Sequence, residues 1–161
     1  MLFRLMSQYF WLLALAFAAF NYARARKSIT ESVPSDRIAE ASALLKRFAV
    51  VGVLPWVVVG AGHILGFTPT IWLYFRPQDG NPFVIAWIGV SFLIACGYAY
   101  WVLFAGGAEK VWDLRLMAAF GQLNPQRQQS LGSIKFLAGF GPFFLIAWVV
   151  LVVCMDAQLP K

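Results

Sequence analysis

Charge is scarce in this chain. Of its 161 residues, 12% are Asp, Glu, Lys or Arg, about half the share of an ordinary soluble domain, roughly 25%. Histidine occurs once, at His63, and cysteine twice, at Cys96 and Cys154. Two cysteines this far apart build neither a disulfide framework nor a zinc motif. The sequence contains no CxxC, HExxH, Walker loop, GxSxG or GxGxxG, which removes the common nucleotide, hydrolase and zinc-enzyme readings. The net charge of +6 is too small and too divided to make a nucleic-acid surface. Four stretches lack ionisable residues in their middles, and ion or proton pathways usually require such residues.

Apolar residues are abundant instead, at 61% of the chain, with 17% aromatic, including seven Trp and fifteen Phe. That would overfill a soluble core of this size, whereas a bilayer covers the excess. The fold class expected is therefore all-α: an integral membrane protein with four transmembrane helices. The spans are placed near 5–22, 46–66, 82–105 and 135–155, since about 20 apolar residues cross a hydrocarbon core of roughly 30 Å. A short aromatic segment near 69–76, containing "IWLYF", suits the membrane interface. The whole chain, 1–161, reads as a single four-span domain.

The basic residues alternate between connections. Arg24, Arg26, Lys27, Arg37, Lys46, Arg47, Lys110, Arg115, Arg127 and Lys135 fall on one side; Arg4, Arg76 and Lys161 fall on the other. By the positive-inside rule the first group is cytoplasmic and both termini lie outside. The block "YARARK" at 22–27 follows the first apolar stretch, which favours an uncleaved first helix over a signal peptide. The expected location is a bacterial inner membrane.

The cytoplasmic connections carry helix signals. Pro34 is followed by Ser35, expected to cap a helix, and by Asp36 in its first turn; Ile38, Leu45 and Phe48 then recur at helical spacing. Asn124-Pro125 repeats the N-cap and first-position pattern, as Asn81-Pro82 does at the third span. The spans are thus expected to continue into the cytoplasm as helical extensions, giving two long antiparallel hairpins that turn near Val33–Ser35 and Gly121–Asn124. Val111, Leu114 and Met117 form an apolar stripe, which reads as packing against the other extension or as a docking face. A weak repeat links Gly52-Val53-Leu54-Pro55-Trp56 with Gly139-Phe140-Gly141-Pro142-Phe143. Pro55 and Pro142 each free a backbone carbonyl and are expected to kink their helices.

The candidate site is small. Trp56, Gly60 and His63 lie near one helical stripe, and glycine leaves room beside it for a flat ring. A haem, a chlorin or a quinone headgroup would use His63, the commonest axial ligand type. The plainer reading is helix packing through small residues, with no cofactor. Arg76, Asp79 and Asp156 form an expected polar cluster on the outer side, read as an interfacial ion pair rather than an acid–base set. Cys96 is expected to be a buried thiol at a close helix contact beside Gly97.

Three functions remain in play. The first is a non-catalytic accessory or scaffold subunit of a larger inner-membrane complex. Its partners would be the lipid bilayer and other membrane subunits, or further copies of itself, and not nucleic acid. The second is a cofactor-binding redox or light-harvesting subunit using His63. The third is a small membrane enzyme or transporter for a lipid-like substrate.

Overall fold

The computed structural model describes residues 2–116 and 130–154. Within them the chain is helical, without strands. The helices are α1 (Leu2–Ser32), α2 (Ile38–Ile64), α3 (Pro82–Phe104), α4 (Gly107–Asp113) and α5 (Leu131–Cys154), with three short 3-10 turns at Ser35–Arg37, Ile71–Phe75 and Pro77–Asp79. Three helical stretches, Ser35–Ile64, Pro82–Phe104 and Leu131–Cys154, are long and apolar enough to cross a membrane. Their large apolar side chains face outward around the circumference: Leu93 is 72% exposed, Phe104 76% and Phe136 70%. A helix apolar on every side needs either a large core or lipid around it, and this chain supplies no such core.

Helix boundaries follow local chemistry. Asn81 caps α3 as expected: its side-chain oxygen accepts from Phe83 N–H at 3.0 Å, and Pro82 occupies the first helical position. Its amide also donates to the Phe67 carbonyl at 2.8 Å, tying the loop back to its start. Helix α2 ends in a Schellman motif. Gly66 sits in the left-handed region at φ +79, its N–H bonds the His63 carbonyl, and Phe67 N–H bonds the Gly62 carbonyl. At the start of α5, Ser130 Oγ accepts from Ser133 N–H at 3.2 Å. The expected Asn124-Pro125 start and the Gly121–Asn124 turn lie outside the described residues.

Two expectations need revision. Ser35 does not cap α2. The chain closes a backbone turn instead, Arg37 N–H to the Pro34 carbonyl at 2.9 Å, and α2 begins after it with no side-chain cap. The third span does not continue as one extension: Gly106, at φ +73, ends α3 and a separate α4 begins. Two adjacent glycines, Gly106 and Gly107, are the signal for that break. Pro55 lies inside α2 and Pro142 inside α5, and non-helical backbone angles occur at Tyr9 of α1 (φ −107, ψ 18).

Helix α1 packs on α2, α2 on α3 and α3 on α5. Two clusters of buried side chains hold the ends. The basic end gathers Ala25 and Ile29 of α1 and Val33 just after it with Ala41 and Leu45 of α2, Val102 of α3, Ala108 and Val111 of α4, and Ile134 and Ala138 of α5. Helix α4 is thus the plug of that end. Val111 and Leu114 are buried in this cluster, so these two members of the stripe pack internally; Met117, the third, lies outside the described residues. Two ion pairs clamp it: Lys110 to Glu40 of α2 at 2.8 Å and Glu109 to Lys135 of α5 at 2.9 Å. Close approach is built in at Gly107, where a Cβ would fall 2.5–2.8 Å from the Trp101 indole. The aromatic end gathers Val59, Tyr74 and Val84, with Trp11, Trp56 and Trp87 against them.

Candidate functional site at the aromatic end

The last turns of α2 bring Trp56, Gly60 and His63 to the face that meets α1. The three candidate residues therefore share one surface, and α1 already occupies it. Phe10 packs on Trp56 at 5.7 Å between ring centroids; Tyr9 meets His63 edge-on at 5.5 Å; Trp11 lies 6.4 Å from the imidazole. The flat ring that Gly60 admits is Trp11: a Cβ on Gly60 would stand 2.7 Å from its six-membered ring. The break in α1 geometry at Tyr9 coincides with this crossing. The crevice shared by Trp11, His63, Thr68 and Tyr74 has no room for a water-sized body, so a planar ligand entering between Gly60 and α1 would have to displace Trp11.

His63 is chemically isolated. Its Nδ1 is buried and has no hydrogen-bond partner, and no carboxylate pairs with it among the described residues. Arg76 and Asp79 do pair, at 3.2 Å, within the α2–α3 loop. That contact is close enough for an ion pair, but Arg76 Nε is out of line for a hydrogen bond. Asp156, the third member of the expected polar cluster, lies outside the described residues. No group of three or more His, Cys, Asp or Glu side chains could hold a metal among the described residues. Both cysteines are free thiols. Cys96 is only half-buried, and Gly97 beside it has no neighbour within 4 Å of a would-be Cβ, so this is not the close helix contact expected.

Beside the His63 face lies a cavity of about 400 Å³, which the sequence reading did not locate. Its walls come from α1 (Phe10), α2 (Trp56), the α2–α3 loop (Trp72, Phe75), α3 (Trp87) and α5 (Trp148). The rings lock one another edge to face: Trp87 on Trp148 at 5.4 Å, Phe75 on Trp148 at 5.8 Å, Tyr74 on Trp87 at 5.6 Å. Such pairs are each worth about 0.5–1.5 kcal/mol beyond the area they bury. The "IWLYF" segment was expected on the membrane surface. It forms a 3-10 turn in which Tyr74 points inward: Tyr74 is 2% exposed and its hydroxyl lies 3.3 Å from Thr68 Oγ1. Burial pushes the Tyr74 phenol up, partly offset by the Thr68 hydroxyl. The available sequence signal was the level of the tryptophans. Trp56, Trp87 and Trp148 fall at similar depths in three separate spans, opposite Trp72 in the loop.

The arrangement can hold an apolar body by dispersion and ring contacts. The two proline motifs also differ in setting: Trp56 lines this cavity, while Phe143 is 65% exposed. No protein-family model, curated protein or solved structure matches the chain.

Proposed function

We propose that the chain is a four-span membrane protein acting as a non-catalytic accessory or scaffold subunit of a larger membrane complex. In this reading α1 is the fourth span. Its outward Leu12, Leu13, Phe17 and Phe20 then meet lipid, and α1–α2 and α3–α5 form two antiparallel hairpins. The basic end is cytoplasmic and both termini lie outside, as the distribution of Lys and Arg argues. Reporter domains active only in the cytoplasm, fused to either terminus, are expected to stay silent; signal from both would reverse the orientation.

One observation carries the functional reading: the phenylalanine ladder of α5. Phe136, Phe140 and Phe144 recur every fourth residue and are exposed, with Phe143 beside them. Their rings adjoin one another: Phe136 stacks on Phe140 at 6.0 Å between centroids, and Phe144 lies tilted against Phe140 at 6.1 Å. No ring elsewhere among the described residues contacts them. Flexible acyl chains do not need a pre-ordered flat face, whereas protein interfaces are enriched in such aromatics. The test replaces Phe136, Phe140 and Phe144 together by leucine, which keeps the face apolar for lipid. A stoichiometric membrane partner should co-purify with the wild type in mild detergent and be lost from the variant. A chain that migrates alone, or a partner retained by the leucine variant, would count against the reading.

A second reading is favoured by the tryptophan-walled cavity: a subunit binding a quinone or pigment near His63. It predicts a visible or near-ultraviolet chromophore in the purified protein, altered in H63Q. A featureless spectrum beyond the tryptophan band would remove the pigment form of it.

A further inference from the structure

The basic end carries a second opening, a groove of about 810 Å³ between α2 and α3. Its size falls within the roughly 300–1,000 Å³ of ordinary ligand sites. Arg47, Phe48 and Gly52 of α2 face Gly97, Tyr98 and Trp101 of α3 across it. We propose that this groove binds one anionic phospholipid, its phosphate on Arg47 and one acyl chain laid over Gly52 and Gly97.

Three observations support this occupant. First, the glycines are not needed for packing within the chain: a Cβ at Gly52 or Gly97 would meet nothing within 4 Å. Glycine weakens a helix interior, so its presence on both walls suits something seated in the groove. Second, charge lies at one end only. Arg47 is exposed and makes no ion pair among the described residues, while Arg37, Lys110 and Lys135 are all committed to Glu40 or Glu109. A free guanidinium holds phosphate through two parallel N–H···O bonds. Basic pockets between spanning helices on the cytoplasmic side are a known setting for anionic headgroups. Third, the wall is rigid and amphipathic. Phe48 packs edge-on against Tyr98 at 5.7 Å and Trp101 at 5.6 Å. The Tyr98 hydroxyl has no hydrogen-bond partner among the described residues and can donate near the headgroup.

Arg47 and Gly52 are five residues apart, roughly 7.5 Å along the helix, which suits a headgroup at the interface and a chain entering the apolar layer. The inference requires α2 and α3 to cross a membrane. It does not require the accessory-subunit reading, and a lone four-span protein would bind the lipid equally well.

The experiment is native mass spectrometry of the full chain in detergent, supplied with phosphatidylglycerol or with phosphatidylcholine of the same acyl chains. One phosphatidylglycerol should be retained in preference to phosphatidylcholine. R47Q should weaken that retention about fivefold, the worth of one basic residue at an anionic surface. R47K should keep much of it. R24Q, which removes an exposed arginine of α1 away from the groove, should leave it unchanged. G97L should fill the groove and abolish retention even with Arg47 present. Circular dichroism melting identifies a variant that fails to fold, in which case R47Q against R47K and R24Q decides the matter alone. Equal retention of the two lipids, equal loss in R47Q and R24Q, or undiminished binding in a folded G97L would overturn the proposal. So would a dimer mass that G97L dissolves, since the groove would then seat a second copy.

Discussion

Replacing Gly60 by alanine adds a single methyl group at the tightest point of the α1–α2 contact. The new Cβ would stand 2.7, 3.0 and 3.1 Å from three carbons of the Trp11 ring. An indole is rigid, and Trp11 is packed against His63 and the Val59–Tyr74–Val84 cluster, so the helices must separate by several tenths of an ångström. Overpacking of this kind costs about 1–3 kcal/mol. The helix itself gains about 0.5–1 kcal/mol from losing a glycine, leaving a net destabilisation of about 1–2 kcal/mol. The same substitution at Gly52 of the same helix meets nothing within 4 Å and should retain the propensity gain, raising stability. Reversible unfolding in mixed micelles, followed by circular dichroism, measures both. The decisive comparison is a double-mutant cycle with W11A. Removing the indole is costly by itself, about 3–5 kcal/mol, but it also removes the obstacle. In the W11A background G60A should be neutral or stabilising, a coupling of about 1–3 kcal/mol. If G60A costs the same with and without Trp11, or stabilises as G52A does, the ring does not fill the Gly60 face and the argument fails.

Two further outcomes follow from named contacts. N81A removes both the cap on Phe83 N–H and the tie to the Phe67 carbonyl. It should destabilise by about 0.5–2 kcal/mol, with faster amide exchange at Phe83 as the local sign; unchanged exchange there would count against the cap. The hydrogen bond from Lys135 holds the Glu109 carboxyl below the usual carboxylate range. Its contribution is therefore present above that range and lost as pH falls through the lowered folded value. E109Q should flatten the acid limb of the stability profile while leaving the neutral-to-alkaline shape alone, and an unchanged acid limb would show that α4 is held by its apolar contacts only.

The sequence by itself determined the medium and the segments. Apolar runs of 20 residues or more without Asp, Glu, Lys or Arg leave lipid as the solvent for three helices, and their limits follow from Asn81-Pro82, Gly66 and the charged flanks, because caps and charges act over one helical turn. It also placed Trp56, Gly60 and His63 on one stripe, since helical periodicity alone does that. It could not say what covers the stripe. Whether a glycine notch admits a cofactor or a neighbouring indole depends on which helix crosses it and in what register, and that is decided by α1 packing with Trp11 over Gly60. The break after Phe104 was written locally in two glycines. The burial of Val111 and Leu114 on α4 was written only as a stripe that fits either a partner or the chain itself. The inward placement of Tyr74 in "IWLYF" depends on rings more than fifty residues apart in sequence: Trp87 and Trp148 meet only once α3 and α5 are side by side, and only then is there a wall for Tyr74 and Phe75 to close. Local chemistry fixed where each helix begins and ends; which apolar faces meet each other, and which are left open to lipid or to a partner, was settled by long-range packing.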